Sequence, residues 1–119
     1  MIYDDVENGL RTAFAHIENA RNSVNIRKDL EGAKKEFKTA YQEIFRLMGI
    51  LKKQKNRYPG LEKTYDELLV LHDRTLFDAI RNIHNFSGIE LIAVCQIIER
   101  TIAEEIARMD SLKKKKAAA

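Results

Sequence analysis

Apolar residues recur at alternating steps of three and four along almost the whole chain, the spacing that lays one apolar stripe along an α-helix. From Tyr3 the stripe runs through Val6, Leu10, Ala13, Ile17, Ala20 and Val24. After a slip of phase it resumes at Ile26 and continues through Leu30, Ala33, Phe37, Ala40, Ile44, Leu47 and Leu51. A third stripe carries Tyr65, Leu68, Leu69, His72, Leu76, Ala79, Ile80 and Ile83; a fourth carries Cys95, Ile98, Ile102, Ile106 and Met109. The class is therefore all-α. Stripes of this kind specify packing and leave the chemistry open.

Start and stop signals divide the chain into four helices. Asp4 with Glu7 sets a carboxylate where it can accept bonds from orphan N–H groups, so the first helix is expected to start there. Ser23, Val24 and Asn25 coincide with the phase slip and predict a short turn. A second helix is expected over 26–56, stopped by Tyr58-Pro59-Gly60, because proline disfavours helical geometry in the residue before it and glycine permits the reversal. The third starts near Leu61 and ends at His84-Asn85-Phe86. Ser87-x-x-Glu90 then reads as a capping box, with Phe86 and Leu91 placed to form a hydrophobic staple. Gly9, Gly32 and Gly49 fall inside predicted helices, where each costs about 1 kcal/mol relative to alanine; they mark either a close approach or bend, or an exposed site where the cost is tolerated.

Short connections between long helices make neighbours antiparallel, so the expected architecture is an up-down-up-down four-helix bundle, with a dimer of helical hairpins as the alternative. The 119 residues suit one domain, taken as 1–112. Residues 113–119 are expected to be a disordered basic tail, in which the closing alanines 117–119 resemble a cloning scar. The single Cys95 cannot form an internal disulfide, the opening residues lack the layout of a secretory signal, and no apolar run approaches the roughly 20 residues that cross a bilayer. A cytoplasmic protein without membrane contact is expected.

Two surfaces depart from the ordinary. Ile89, Ala93 and Ile97 form a second apolar row on the fourth helix, with Val94 beside it, and only Glu90 and Gln96 interrupt the run from Ile89 to Ile98. A helix apolar nearly all round is central or covered by a partner, so homo-oligomerisation through this row is expected. Charge is also uneven. Between Ile26 and Arg57 there are ten Lys or Arg against four Asp or Glu. The densest part is Arg46, Lys52, Lys53, Lys55 and Arg57 with Tyr58. At about 1.5 Å per residue the second helix would be about 45 Å long and could overhang the others, offering this cluster to nucleic acid or to an acidic protein, with Tyr58 free to stack on a base. Cations at a helix C-terminus also complement the dipole, so a solvated helix end accounts for the same residues.

Resident chemistry finds little support. Carboxylate-bridged di-iron bundles need Glu three residues before His, and the three histidines have Ala13, Leu69 and Arg81 there. No zinc-like Cys or His spacing and no phosphate loop occurs, so no metal or cofactor is expected. His72 reads as a hydrogen-bonded core residue and Cys95 as a small buried hydrophobe. Arg81-Asn82-Ile83-His84, at the end of the third helix, resembles the Arg-Asn to His signature of HEPN-type helical ribonucleases, although those families place more residues between the arginine and the histidine. The resemblance implies that Arg81 steadies a phosphate and His84 carries a proton. Without it, both are cations near a helix C-terminus. The expected function is a non-catalytic oligomeric interaction module; the alternatives are a nucleic-acid-binding protein using the basic end of the second helix, and a degenerate HEPN-like ribonuclease.

Overall fold

A computed structural model describes residues 1–118. The chain forms α1 (Ile2–Asn25), α2 (Leu30–Gln54), α3 (Leu61–Val70), a π-helical turn (Leu71–Leu76), α4 (Phe77–Arg81), a 3-10 turn (Ile83–Asn85) and α5 (Gly88–Ala118). Right-handed α geometry at Leu71 and Phe77 joins α3, the π turn and α4 into one rod. The result is an all-α bundle of four rods. Its shared core takes Val6, Leu10, Ala13 and Ile17 from α1, Phe37, Ile44 and Leu47 from α2, Leu68 and Leu76 from the third rod, and Leu91, Cys95, Ile98 and Ile102 from α5. One chain closes this core, so the alternative in which two hairpin chains complete each other is not needed.

Contacts at the helix ends fix how the rods lie together. The Tyr3 hydroxyl donates to the Pro59 carbonyl over 2.9 Å, which sets the start of α1 beside the turn after α2. His84 Nε2 lies 3.5 Å from Glu31 Oε1, joining the end of the third rod to the start of α2. Polar cross-braces tie α5 to two neighbours. Arg21 grips Glu99 from α1 through two bonds of 2.8 and 3.2 Å. Thr64 Oγ1 donates to the buried Glu105 over 2.8 Å, and Arg108 donates to the same carboxylate over 2.9 and 3.2 Å. A buried carboxylate is tolerable only when its lone pairs are taken, and here the hydroxyl and guanidinium take them.

Several boundaries differ from the sequence-based expectation. The first helix starts at Ile2, where the Asp5 amide reaches the Met1 carbonyl, and Asp4 lies in the first turn instead of capping it. The expected turn at Ser23–Asn25 moves downstream because Ser23 and Val24 are buried on the α1 stripe. Ile26, read as the first apolar residue of the second helix, is 72% exposed. Lys28 takes a positive φ of 55°, and Asp29 caps α2 by accepting from the Gly32 amide over 2.9 Å. At the other end of α2, Gly60 turns the chain into α3 with φ of 89°, a value that favours glycine. The capping box forms as read: Ser87 N donates to Glu90 Oε1 over 2.8 Å and Glu90 N to Ser87 Oγ over 3.2 Å.

The long rod is α5, not α2. Its 31 residues correspond to about 46 Å at 1.5 Å per residue, against an overall longest dimension of 49 Å. With 25 residues α2 is the shorter helix, and the turn after it, at Tyr58 and Pro59, lies against Tyr3 of α1 and shares a cavity wall with Leu112 of α5. Lys113, expected in a disordered tail, is helical and lies 2.7 Å from Glu7 and 3.1 Å from Asp4, while Lys114 pairs with Asp110 at 3.0 Å. Ala119, counted with that tail, lies outside the described residues.

Candidate functional site

The second apolar row of α5 is uncovered by its own chain. Ile89 is 83% exposed and Ile97 55%, Ala93 is exposed between them, and Val94 is half-buried beside the core. The α5 stripe of Leu91, Cys95, Ile98 and Ile102 faces inward and is saturated by α1 and the third rod, which leaves the residues one step around the helix in solvent. At the start of α5, Ile89 and Ile92 join Val24 and Leu30 around a cavity of about 500 Å3. The face therefore carries both apolar projections and an apolar recess.

The basic residues do not form one cluster. Arg46 pairs within α2, its Nε 3.2 Å from both carboxylate oxygens of Glu43 three residues before it, and it shares a recess with Asp5, Asn8 and Thr12 of α1. Glu43 holds the Arg46 guanidinium above its ordinary pKa, so this charge is already neutralised locally. Lys52, Lys53 and Arg57 stand exposed. The Lys55 ammonium sits 4.6 Å from the centre of the Tyr65 ring, a cation–π contact that draws it onto α3. Tyr58 is not a free stacking platform. Its ring meets Tyr3 edge-on, 6.1 Å between centroids at 78°, and Lys116 lies 5.5 Å from its centre.

The surroundings of Lys116 hold residues that the sequence alone does not bring together. Because α5 continues past Leu112, the C-terminal lysines reach the Tyr3–Tyr58 pair, and Lys113 sits between Glu7 and Asp4. Lys113 first, then Arg11, holds the Glu7 carboxyl below its usual range. The signal for this is an unbroken three-and-four spacing through Met109 and Leu112, which carries the helix to the lysines.

His72 is buried as expected and stacks on Tyr41 with centroids 3.8 Å apart. Its Nδ1 is 2.8 Å from Asp73 Oδ1, while its Nε2 is buried without a hydrogen-bond partner among the described residues. The second nitrogen thus departs from the fully hydrogen-bonded core histidine. The ring sits within the π turn, where two consecutive steps of four, Leu68 to His72 to Leu76, keep all three residues inward. Cys95 is fully buried; desolvation, then Glu99, pushes its thiol up to about 12, far from a nucleophile's range. Arg81 and His84 are both exposed, and the nearest carboxylate to His84 is Glu31. Among the described residues no three His, Cys, Asp or Glu converge as a metal site requires, and no helix is long and apolar enough to cross a membrane. Comparison with protein-family models, with curated proteins and with solved structures finds no match to this chain.

Proposed function

We propose that the protein is a non-catalytic helical interaction module that self-associates through the outer face of α5. The observation that carries this reading is the exposure of Ile89 and Ile97, at 83% and 55%, on a helix whose other face already fills the core. Exposed apolar area of this kind is stabilised by removal from water at about 25 cal/mol per Å2. A second copy fits the chemistry. From Ile89 to Ile98 the only charged residue is Glu90, so two such faces meet with little like-charge repulsion, and a two-fold contact needs projections and recesses on one surface. The Val24–Leu30–Ile89–Ile92 recess and the Ile97 side chain supply both.

The test is Ile97→Glu. A carboxylate at a position 55% exposed in the single chain is harmless there, but it is costly under a partner. The variant is expected to lose self-association and keep its far-UV helicity and melting temperature within a few degrees. If it unfolds, Ile97 belongs to the subunit core. If it assembles as the parent does, the face is not the contact.

A further inference from the structure

The start of α1, the turn after α2 and the last turns of α5 enclose a cavity of about 320 Å3 lined by Tyr3, Tyr58, Pro59, Leu112, Lys115 and Lys116. Its walls are mainly apolar. The Tyr3 hydroxyl is committed to the Pro59 carbonyl, and the Tyr3 and Tyr58 rings meet edge-on in the cavity wall. The Lys116 ammonium lies 5.5 and 5.9 Å from the two ring centres, occupying the position of a cation over aromatic faces. Lys115 also lines the adjoining recess of about 510 Å3 together with Lys63, Arg108 and Glu104. Lys115 and Lys116 on the cavity wall have no carboxylate within ion-pair distance among the described residues, in contrast to Lys113 and Lys114, and the exposed Arg57 directly precedes Tyr58 in the chain.

Unneutralised cations around a small apolar aromatic cavity suit a ligand that joins anions to flat apolar groups. A bare polyanion leaves the cavity unused, and a duplex keeps its bases stacked inside. We propose that this end of the bundle binds single-stranded nucleic acid, with one base entering the cavity between Tyr3, Tyr58 and Leu112 while Lys115, Lys116 and Arg57 take flanking phosphates. Lys116 exchanges its cation–π contacts for a phosphate as the base enters. The site does not depend on self-association, because Lys115 lies 18 residues along α5 from Ile97, about 27 Å at 1.5 Å per residue.

Fluorescence anisotropy with a short oligouridylate, an oligoadenylate and a matched duplex tests the proposal, alongside inorganic polyphosphate and phosphatidylserine vesicles as competitors. Single strands are expected to bind best, with log K falling linearly in log salt. Lys115→Gln with Lys116→Gln should reduce that slope by about 1.4, at about 0.7 for each phosphate no longer neutralised. Tyr58→Leu should weaken oligonucleotide binding at least about fivefold while leaving polyphosphate binding unchanged, and Tyr58→Phe should retain the affinity. These measurements repeated on Ile97→Glu should give the same affinities whether or not that variant is monomeric. The proposal is overturned by any of three results: no binding of single strands at low salt; equal binding of duplex or polyphosphate with no dependence on Tyr58; or capture by vesicles without binding of oligonucleotides. Loss of fold in Tyr58→Leu leaves the exposed lysine pair as the deciding variant, and an unchanged salt slope there overturns the site.

Discussion

Two glycines of similar appearance in the sequence should respond oppositely to the same methyl group. Gly9 is buried on α1 against α2, and a Cβ built there lies 3.0 Å from Leu47 Cγ, 3.0 Å from Glu43 Oε1, and closer still to Leu47 Cδ2. Gly49 is exposed on α2, and a Cβ there meets nothing within 4 Å. Alanine gains about 1 kcal/mol of helix propensity at either site, whereas overpacking costs about 1–3 kcal/mol where the neighbour cannot move away. Leu47 is fully buried and cannot. Gly49→Ala should therefore gain about 1 kcal/mol, and Gly9→Ala should fall between neutral and a loss of about 2 kcal/mol. In a domain of this size 1 kcal/mol corresponds to about 3–6 °C, so thermal unfolding by circular dichroism separates the two variants. Leu47→Ala in the Gly9→Ala background should cost less than in the wild type, since the new methyl takes space the leucine vacates. If Gly9→Ala raises the melting temperature as much as Gly49→Ala, the close approach of α1 and α2 is wrong.

Thr64→Val removes the hydroxyl that donates to the buried Glu105 and should cost about 1–2 kcal/mol in urea unfolding; no loss would mean that Arg108 alone satisfies the carboxylate. His72→Phe keeps an aromatic ring against Tyr41 and removes a buried nitrogen without a partner, so it should be neutral or stabilising by about 1 kcal/mol. A loss above about 2 kcal/mol would show that Nε2 has a partner after all. Cys95 should resist thiol reagents at neutral pH until the protein unfolds. With its folded pKa near 12 raised above the ordinary 9.0, the buried thiol contributes stability that is complete below about pH 9 and is lost as pH rises toward 12. Rapid labelling of the native protein at neutral pH would contradict this burial.

The core is legible in the sequence because it depends on periodicity alone. Every residue named in the first stripe, from Tyr3 to Val24, is buried. Even the π turn leaves a trace, the repeated step of four from Leu68 through His72 to Leu76. Caps are legible when both halves of a reciprocal pair are present, as at Ser87 and Glu90, and are hidden when one side chain acts alone, as Asp29 does for Gly32. That hidden cap displaces the expected start of α2 and makes Gly32 look like a helix-interior glycine. The basic surface shifts between sequence and structure because counting charges ignores what each one meets. Arg46 looks free in the sequence although Glu43, three residues before it on the same helix, holds it, whereas the C-terminal lysines look like a solvated tail although α5 carries two of them to Tyr3 and Tyr58. The uncovered row at Ile89, Ala93 and Ile97 needs only the helical period.

Molar mass by light scattering across a dilution series tests self-association through α5 most directly. The wild-type chain has a mass of 13.8 kDa, and a multiple of that value is expected at high concentration, falling toward it on dilution. Ile97→Glu should remain at the single-chain mass throughout. A wild-type protein that stays at 13.8 kDa up to high micromolar concentration would contradict self-association, and the exposed row of α5 would then be tolerated in solvent.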